Sequence, residues 1–390
     1  MTAAALIILL FWALLACDTK RWWPRDPLAE RPSDESSTAL ESSARAESVT
    51  VIVPARNEAS ILESTLPALI AQSSSYTKLV LVDDRSTDGT GDLARRLARS
   101  LQTPELEKIL VLTSDPPPAG WLGKLHALQT GLERCGADSE WLLFTDADIL
   151  HPRGSISRLV AKARQDGRDL VSIMVRLRTE AFWEKLLIPP FVWFFQLLYP
   201  FRRVADSRSS VAAAAGGCVL IRRSLLEKAG GLELIRGEII DDVSLARIAK
   251  RAGGRLWLGL NPEMLSVRGY ETLGEITRMV ARTAFDQLGY RYSLVVGTFF
   301  FLGFFFAAPP VMALLGVETG NHVAMWLALA AVLIQAGLFL PAVRHHGVSL
   351  GYAFTLPLAS ALYAYMTGVS AWRHFRGRGV EWRGRRITRP

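Results

Sequence analysis

Two spacings of apolar residues divide this chain. Between about residues 49 and 290 the apolar positions come in short runs, at 49–54, 78–82, 108–112, 142–144, 170–175 and 218–221. Runs of this length fit strands buried on both faces. Stretches at 60–72, 90–101 and 124–134 carry helical spacing between them, which predicts a β-α-β-α series, a largely parallel sheet and right-handed crossovers. Elsewhere the apolar blocks are longer, at 1–17, 292–315, 323–343 and 348–372, and each of the last three is long enough to cross a bilayer. A further aromatic-rich stretch, 181–201, is nearly that long. Spanning would leave the acids before and after it on opposite sides of a membrane. It is therefore expected to lie in the interface, with Trp183, Trp193 and Tyr199 at headgroup depth, the alternative being an aromatic core segment.

Charge adds direction to this pattern. Half of the 390 residues are hydrophobic, yet the formal net charge is +8. Beyond Trp372 stand seven arginines against one glutamate, so the tail holds +6 of that charge. The distribution speaks against nucleic-acid binding by the folded part and for a tail near anionic lipid headgroups. Lys20, Arg21 and Arg25 follow the first apolar block, which predicts an uncleaved anchor whose C-terminal side faces the cytoplasm. The expected organisation is an anchor at 1–17, a linker at 18–48, a catalytic domain at 49–290, membrane segments at 291–372 and a basic tail at 373–390. The linker is rich in Pro, Ser, Glu and Arg and lacks an apolar period. Three full crossings after the domain would put the tail outside, against the charge rule. Pro309-Pro310 and Pro357 interrupt two of the blocks, so one of these is expected to be re-entrant or interfacial.

Polar residues follow the short runs where strands would end. Ala55-Arg56-Asn57-Glu58 follows the first, Asp83-Asp84-Arg85-Ser86-Thr87-Asp88-Gly89-Thr90 the second, and Asp146-Ala147-Asp148 comes just after 142–144. Open α/β sheets bind ligands at that edge, so these groups should meet at one crevice. Two carboxylates one residue apart can share a hard divalent cation whose shell is filled by phosphate oxygens, although an acidic turn has the same spelling. Asp88 suits an N-cap. A Pro-rich loop ends in Gly123-Lys124 at a helix start, able to offer N–H groups and an ammonium to phosphate, but without P-loop spacing; a solvent lysine is the alternative. Small and polar 207–217 suggests a mobile loop over a site. Asp241-Asp242 opens an amphipathic helix, as caps or as catalytic carboxylates, and Arg278 and Arg282 sit one turn apart on a later helix. Cys17, Cys135 and Cys218 show neither metal-ligand nor disulfide spacing.

Together, Val51-Ile-Val-Pro-Ala-Arg-Asn-Glu58, the 83–90 cluster, Thr145-Asp-Ala-Asp148 and Asp241-Asp242 resemble the family 2 glycosyltransferases with the GT-A fold. Gly120-Trp-Leu-Gly-Lys124, the ending Gly377-Arg-Gly-Val-Glu-Trp-Arg-Gly-Arg385 and the three-block C-terminus resemble a membrane-anchored subgroup, including enzymes associated with hopanoid biosynthesis and those acting on carotenoids. The resemblance implies a Rossmann-like, mainly parallel α/β domain in which Pro54, Arg56 and Glu58 cradle a nucleotide and Asp84 contacts its base or ribose. It further implies Mg2+ or Mn2+ held by Asp146 and Asp148 on the diphosphate of a nucleoside-diphosphate-sugar, with Asp242 as the base for an inverting transfer. The acceptor implied is a membrane lipid, hopanoid, carotenoid or polyprenyl, and the place a multi-pass position in the inner (plasma) membrane with the catalytic domain facing the cytoplasm. The family usually has Glu-Asp where this chain has Asp241-Asp242. Lipid-directed relatives often carry Gln or Arg, two residues, then Arg-Trp, where this chain has Arg278-Met-Val-Ala-Arg282-Thr283. A catalytically silent membrane scaffold is the alternative, and a polysaccharide synthase would want a larger helix bundle.

Overall fold

The computed structural model describes residues 1–17, 48–72, 75–100 and 108–377, with backbone alone at 380–382 and 385–387. Most of the expected linker and much of the basic tail lie outside the described residues. What is described forms two compact units, residues 48–177 with 201–268, and residues 1–17 with 178–200 and 269–377. The second unit thus takes in all but the last residue of the 181–201 stretch, and the helix Leu273–Gln287, both assigned to the catalytic domain by their place in the sequence.

The α/β unit holds strands β1 (Val49–Ala55), β2 (Lys78–Asp83), β3 (Ile109–Thr113), β4 (Trp141–Thr145), β5 (Ile149–Leu150), β6 (Leu170–Leu177), β7 (Cys218–Arg222) and β8 (Leu256–Ser266), in the order β3-β2-β1-β4-β7-β6-β8-β5. β3, β2, β1 and β4 are parallel, as the alternation of runs and helices predicts. β7 enters antiparallel to β4 and β6, β6 and β8 are parallel, and β5 closes the edge antiparallel to β8, so the sheet as a whole is mixed. Val51, Val53, Leu79, Leu81, Leu143, Val171 and Leu220 share one continuous core across it. β8 has no clear signature in the sequence because Gly259 and Asn261-Pro262 interrupt its apolar run. Its register slips there: Val175 faces Asn261 while Arg176 faces Leu265. Asn261 Oδ1 accepts from the N–H groups of Glu263 and Met264, which satisfies the backbone of the bulge, and Pro262, with no N–H to give, sits inside it.

In the helical unit, two helices among the described residues are long and apolar enough to cross a membrane, Tyr292–Glu318 and His322–His345. Thr2–Cys17 has 16 residues, fewer than the about 20 a span needs. The 348–372 block breaks into a 3-10 turn, Leu350–Thr355, and a helix, Leu356–Phe375, with Pro357 in its first turn. The 27-residue helix is continuous but wound as a π-helix over Leu302–Ala307, directly before Pro309-Pro310. Proline offers no N–H to the turn before it, so carbonyls of that turn need other donors. Trp12 Nε1 donates to the Phe305 carbonyl at 2.8 Å and Gln335 Nε2 to that of Phe306 at 3.3 Å. The interfacial placement expected for Trp193 and Tyr199 does not describe their surroundings. Trp193 is 6% exposed and donates to the Leu338 carbonyl, and Tyr199 is 7% exposed and exchanges hydrogen bonds with Gln287. The helix Phe182–Leu198 is apolar apart from Glu184, Lys185 and Gln196, and these rings are packed inside the unit; Phe182 and Leu198 are the exposed large apolar residues.

Candidate active site

Parallel pairing brings the ends of β1 and β2 level, Ala55 opposite Asp83, and their loops interlock. Asn57 and Arg85 both take left-handed backbone, at φ 51° and 54°. Asn57 N–H donates to Ser86 Oγ and its Oδ1 accepts from Thr87 N–H, each at 2.9 Å. Asp88 serves two helix starts, since its carboxylate accepts from Ala59 N–H and from Thr90 N–H at 3.0 Å. Arg56 Nη1 donates to the Asp84 carbonyl at 2.6 Å and lies 3.8 Å from the Asp84 carboxylate, which is 1% exposed. These two predicted residues form one group at the β1–β2 edge.

A second group surrounds a cavity lined by Pro54, Lys124, Asp146, Gly216, Asp241 and Asp242. Lys124, in the first turn of the helix Gly123–Arg134, places Nζ 2.9 Å from Asp146 Oδ1 and 3.1 Å from Asp241 Oδ2. Its side chain is one-fifth exposed, so it is not the solvent lysine allowed by the sequence. Burial alone would lower its proton affinity, but Asp146, Asp241 and Asp242 outweigh that and hold it raised. Asp242 is fixed by two N–H donors, Gly216 to Oδ2 and Val243 to Oδ1, both at 2.7 Å. A Cβ on Gly216 would come within 3.3 Å of both Asp242 Oδ2 and Lys124 Nζ, so a side chain there would press on both groups. Burial and then the charge of Asp241 push the Asp242 carboxyl up to about 6. Within 207–217, Ser207, Arg208 and Ser210 are exposed and the second half is packed. Ala212 to Ala215 are buried, and Lys250 Nζ gathers the carbonyls of Arg203, Val204 and Val211 beneath it.

A third group joins two of the expected acids, Glu58 and Asp148, through a residue the sequence does not single out. Arg268, two residues past β8, donates from Nε to Asp148 Oδ2 at 3.0 Å and from Nη2 to both oxygens of Glu58 at 2.7 Å. Ser266 Oγ adds a bond to the same Asp148 oxygen at 2.9 Å. Asp146 and Asp148 therefore face different cations, Lys124 and Arg268. The signal that could have found Arg268 is the strand leading to it, hidden by Asn261-Pro262. Below the pair runs a buried chain: Thr145 Oγ1 bonds His151 Nε2 at 2.8 Å and the Gly217 carbonyl at 2.9 Å, and Ser155 Oγ joins His151 Nδ1 to Gln72. Burial pushes His151 down to about 4, so the ring is neutral at ordinary pH. Burial raises the Cys218 thiol, and Cys135 is also buried; neither is placed as a nucleophile.

No group of three or more metal-ligating side chains occurs among the described residues. The acids present nevertheless suit a hard cation completed by phosphate oxygens. Glu58, Asp146, Asp148, Asp241 and Asp242 stand against Lys124 and Arg268 alone in the last two groups. Asp146 is held above the usual carboxylate range, first by burial and then, against Lys124, by Asp148 and Asp241, which marks a site short of positive charge. Arg278 and Arg282 lie on Leu273–Gln287, in the helical unit.

Residues 50–230 match the family described as Glycosyl transferase family 2. The chain is 33% identical over 129 residues to a 4,4'-diaponeurosporenoate glycosyltransferase of Staphylococcus haemolyticus, covering 33% of this chain and 32% of the relative. It is 29% identical over 185 residues to an undecaprenyl-phosphate 4-deoxy-4-formamido-L-arabinose transferase of Pseudomonas syringae, covering 46% and 48%. The matches thus span between about a third and a half of the length of these curated relatives. In structure, the chain resembles a mannosyltransferase of Pyrobaculum calidifontis solved with GDP-Man and Mn2+, with a TM-score of 0.53 and 22% identity over 95% of this chain and 98% of the other. Strand order, clustered acids and family match agree: the chain carries a Glycosyl transferase family 2 domain with the GT-A fold.

Proposed function

We propose that the chain transfers a sugar from a nucleoside-diphosphate-sugar to a membrane lipid, with inversion at the anomeric carbon. The observation that carries this reading is the pairing of Asp146 and Asp242 on one cavity, linked through Lys124 and Asp241. Arg56 and Asp84 would receive the nucleoside at the β1–β2 edge, with Pro54 and Glu58 beside it. Asp146 and Asp148 would hold Mg2+ or Mn2+ on the diphosphate; the cation, when bound, offsets the charge that grows on the leaving group. Lys124 can give its ammonium to the same phosphate oxygens, releasing an acid that it now holds. Asp242 takes the proton of the acceptor hydroxyl. Its two backbone donors aim the carboxylate, and its raised pKa brings the base nearer to working pH, where proton transfer is more favourable.

The lipid acceptor is supported by the kinds of relative matched, one acting on a carotenoid acid and one on undecaprenyl phosphate by their names, and by the two helices long enough to span. A multi-pass position with the catalytic domain on the cytoplasmic side, where sugar nucleotides are made, completes the reading. The test is incubation of membranes containing the protein with radiolabelled sugar nucleotides and Mn2+, followed by lipid extraction. Label in the lipid phase is expected from the wild type and not from Asp242→Asn. Equal label from both would end the assignment of the base.

A further inference from the structure

Each carboxylate of the Asp146-Ala147-Asp148 pair already has a cationic partner, but the two partners are differently built. Lys124 is a single flexible ammonium that can turn to another oxygen. Arg268 is a planar fork that joins two acids from separate loops, Glu58 before the helix Ala59–Ile70 and Asp148 after β4. All three side chains are largely buried: Arg268 is 19% exposed, Glu58 8% and Asp148 12%. The loop carrying Arg268 is pinned as well, since Val267 N–H donates to the Asp148 carbonyl at 2.9 Å and Ile149 pairs with Ser266. The guanidinium therefore sits where it does because β8 ends there, and without it Glu58 and Asp148 would face each other as two buried like charges.

We propose that Arg268 is a built-in counter-charge for Glu58 and Asp148, and that it competes with the divalent cation for Asp148. The inference rests on the reading of Asp146 and Asp148 as cation ligands. Asp148 Oδ2 accepts from both Arg268 and Ser266, so the carboxylate is aimed by them. A dication and a guanidinium on one carboxylate repel, and occupancy by either weakens the other. Arriving phosphate oxygens resolve the conflict, because they give the released fork an anionic partner of matching geometry. The consequence is an ordered site: the cation binds weakly alone and tightly with a diphosphate. Arg268 is in this sense a positioning residue, acting on the cation through Asp148.

Free Mn2+ measured by its electron paramagnetic resonance signal tests this without turnover, on the full chain in detergent. The titration is made with Mn2+ alone and again with UDP or GDP present. For Arg268→Gln, the dissociation constant for Mn2+ alone is expected to fall by about tenfold, as one unit of positive charge leaves the site. The gain from adding nucleoside diphosphate should shrink. Arg268→Lys keeps the charge but cannot fork to both acids, so about a threefold tightening is expected, and it decides the matter if the Gln variant does not fold. Ser266→Ala, which removes a neutral donor from the same oxygen, should stay within about twofold of wild type. Unchanged or weaker Mn2+ binding in the folded Arg268 variants overturns the competition. Absence of Mn2+ binding by the wild type under both conditions overturns the cation-ligand reading itself, and the competition with it.

Discussion

The two units treat buried polar groups in opposite ways. In the helical unit several turn inward to the backbone: Trp12 to Phe305, Gln335 to Phe306, Trp193 to Leu338, Tyr363 to Leu187 and Ser370 to Ala281. In the α/β unit, five acids gather around two cations, and burial, with neighbouring carboxylates adding to it, raises Asp146 and Asp242. The first arrangement closes on itself, because a helix in an apolar surrounding has no water to complete its hydrogen bonds. The second would, under the proposed function, be completed by a ligand that brings positive charge and phosphate. Polar burial therefore marks structure in one unit and chemistry in the other, and substitutions should separate the two.

The sharpest separation is at Asp242. Asn keeps the shape but, with one acceptor oxygen in place of two, can accept from only one of the Gly216 and Val243 N–H groups, and it cannot take a proton, so turnover should fall by about 10²- to 10⁴-fold. Thermal stability should change little, because removing a carboxylate whose ionisation is disfavoured offsets the one N–H acceptor that is lost. A melting temperature that drops with activity would mean that the α/β acids, too, are structural. The opposite pattern is expected at Trp12→Phe. The Phe305 carbonyl loses its donor at a cost of about 1–3 kcal/mol, read as thermal unfolding in detergent, while turnover per folded molecule stays within about twofold.

Acid should find the same division. With its pKa raised to about 6 from 3.8, Asp242 is ionised above about pH 6 and protonated below it. Base function is thus present on the alkaline side and lost as pH falls, about tenfold per unit below 6. The linked stability runs the other way: between about pH 4 and 6 the folded protein holds a proton that the unfolded chain has released, so stability declines as pH rises through that window. An acid limb near pH 4 in kcat/KM would show that Asp242 is not the base or is not buried as described.

What could be read in the sequence follows the same physical line. Strands β1, β2 and β4 announce themselves because both faces are buried, and their end residues Arg56, Glu58, Asp84, Asp146 and Asp148 come with them. Lys124 and Asp242 were legible as residue types but not as partners, since the contact through Asp241 depends on a helix more than a hundred residues further on. Arg268 was hidden twice, by a bulged strand that breaks the apolar run and by an ion pair with residues far earlier in the chain. The boundary of the α/β unit was obscured for a related reason. The helices Phe182–Leu198 and Leu273–Gln287 are amphipathic or apolar in ways that suit either unit, and only packing decides.

The smallest expected effect is also the most specific for the helical unit. If Trp12 matters because Pro309 withholds an N–H from the turn carrying Phe305, then restoring that N–H should make Trp12 dispensable. Pro309→Ala lets the backbone supply its own donor and permits ordinary α-helical winding through 302–307, now a π-helix. In that background Trp12→Phe should cost less than it does in the wild type by about 1 kcal/mol, the coupling measured by a double-mutant cycle of unfolding free energies. Gln335→Leu, whose partner is the next carbonyl, should couple to Pro310→Ala in the same sense and less strongly, since its bond is longer at 3.3 Å against 2.8 Å. Strict additivity at both pairs would mean that the two side chains stabilise by packing alone. The contrast between a helical unit that closes its hydrogen bonds and an α/β unit that leaves its charges open would then rest on the acids only.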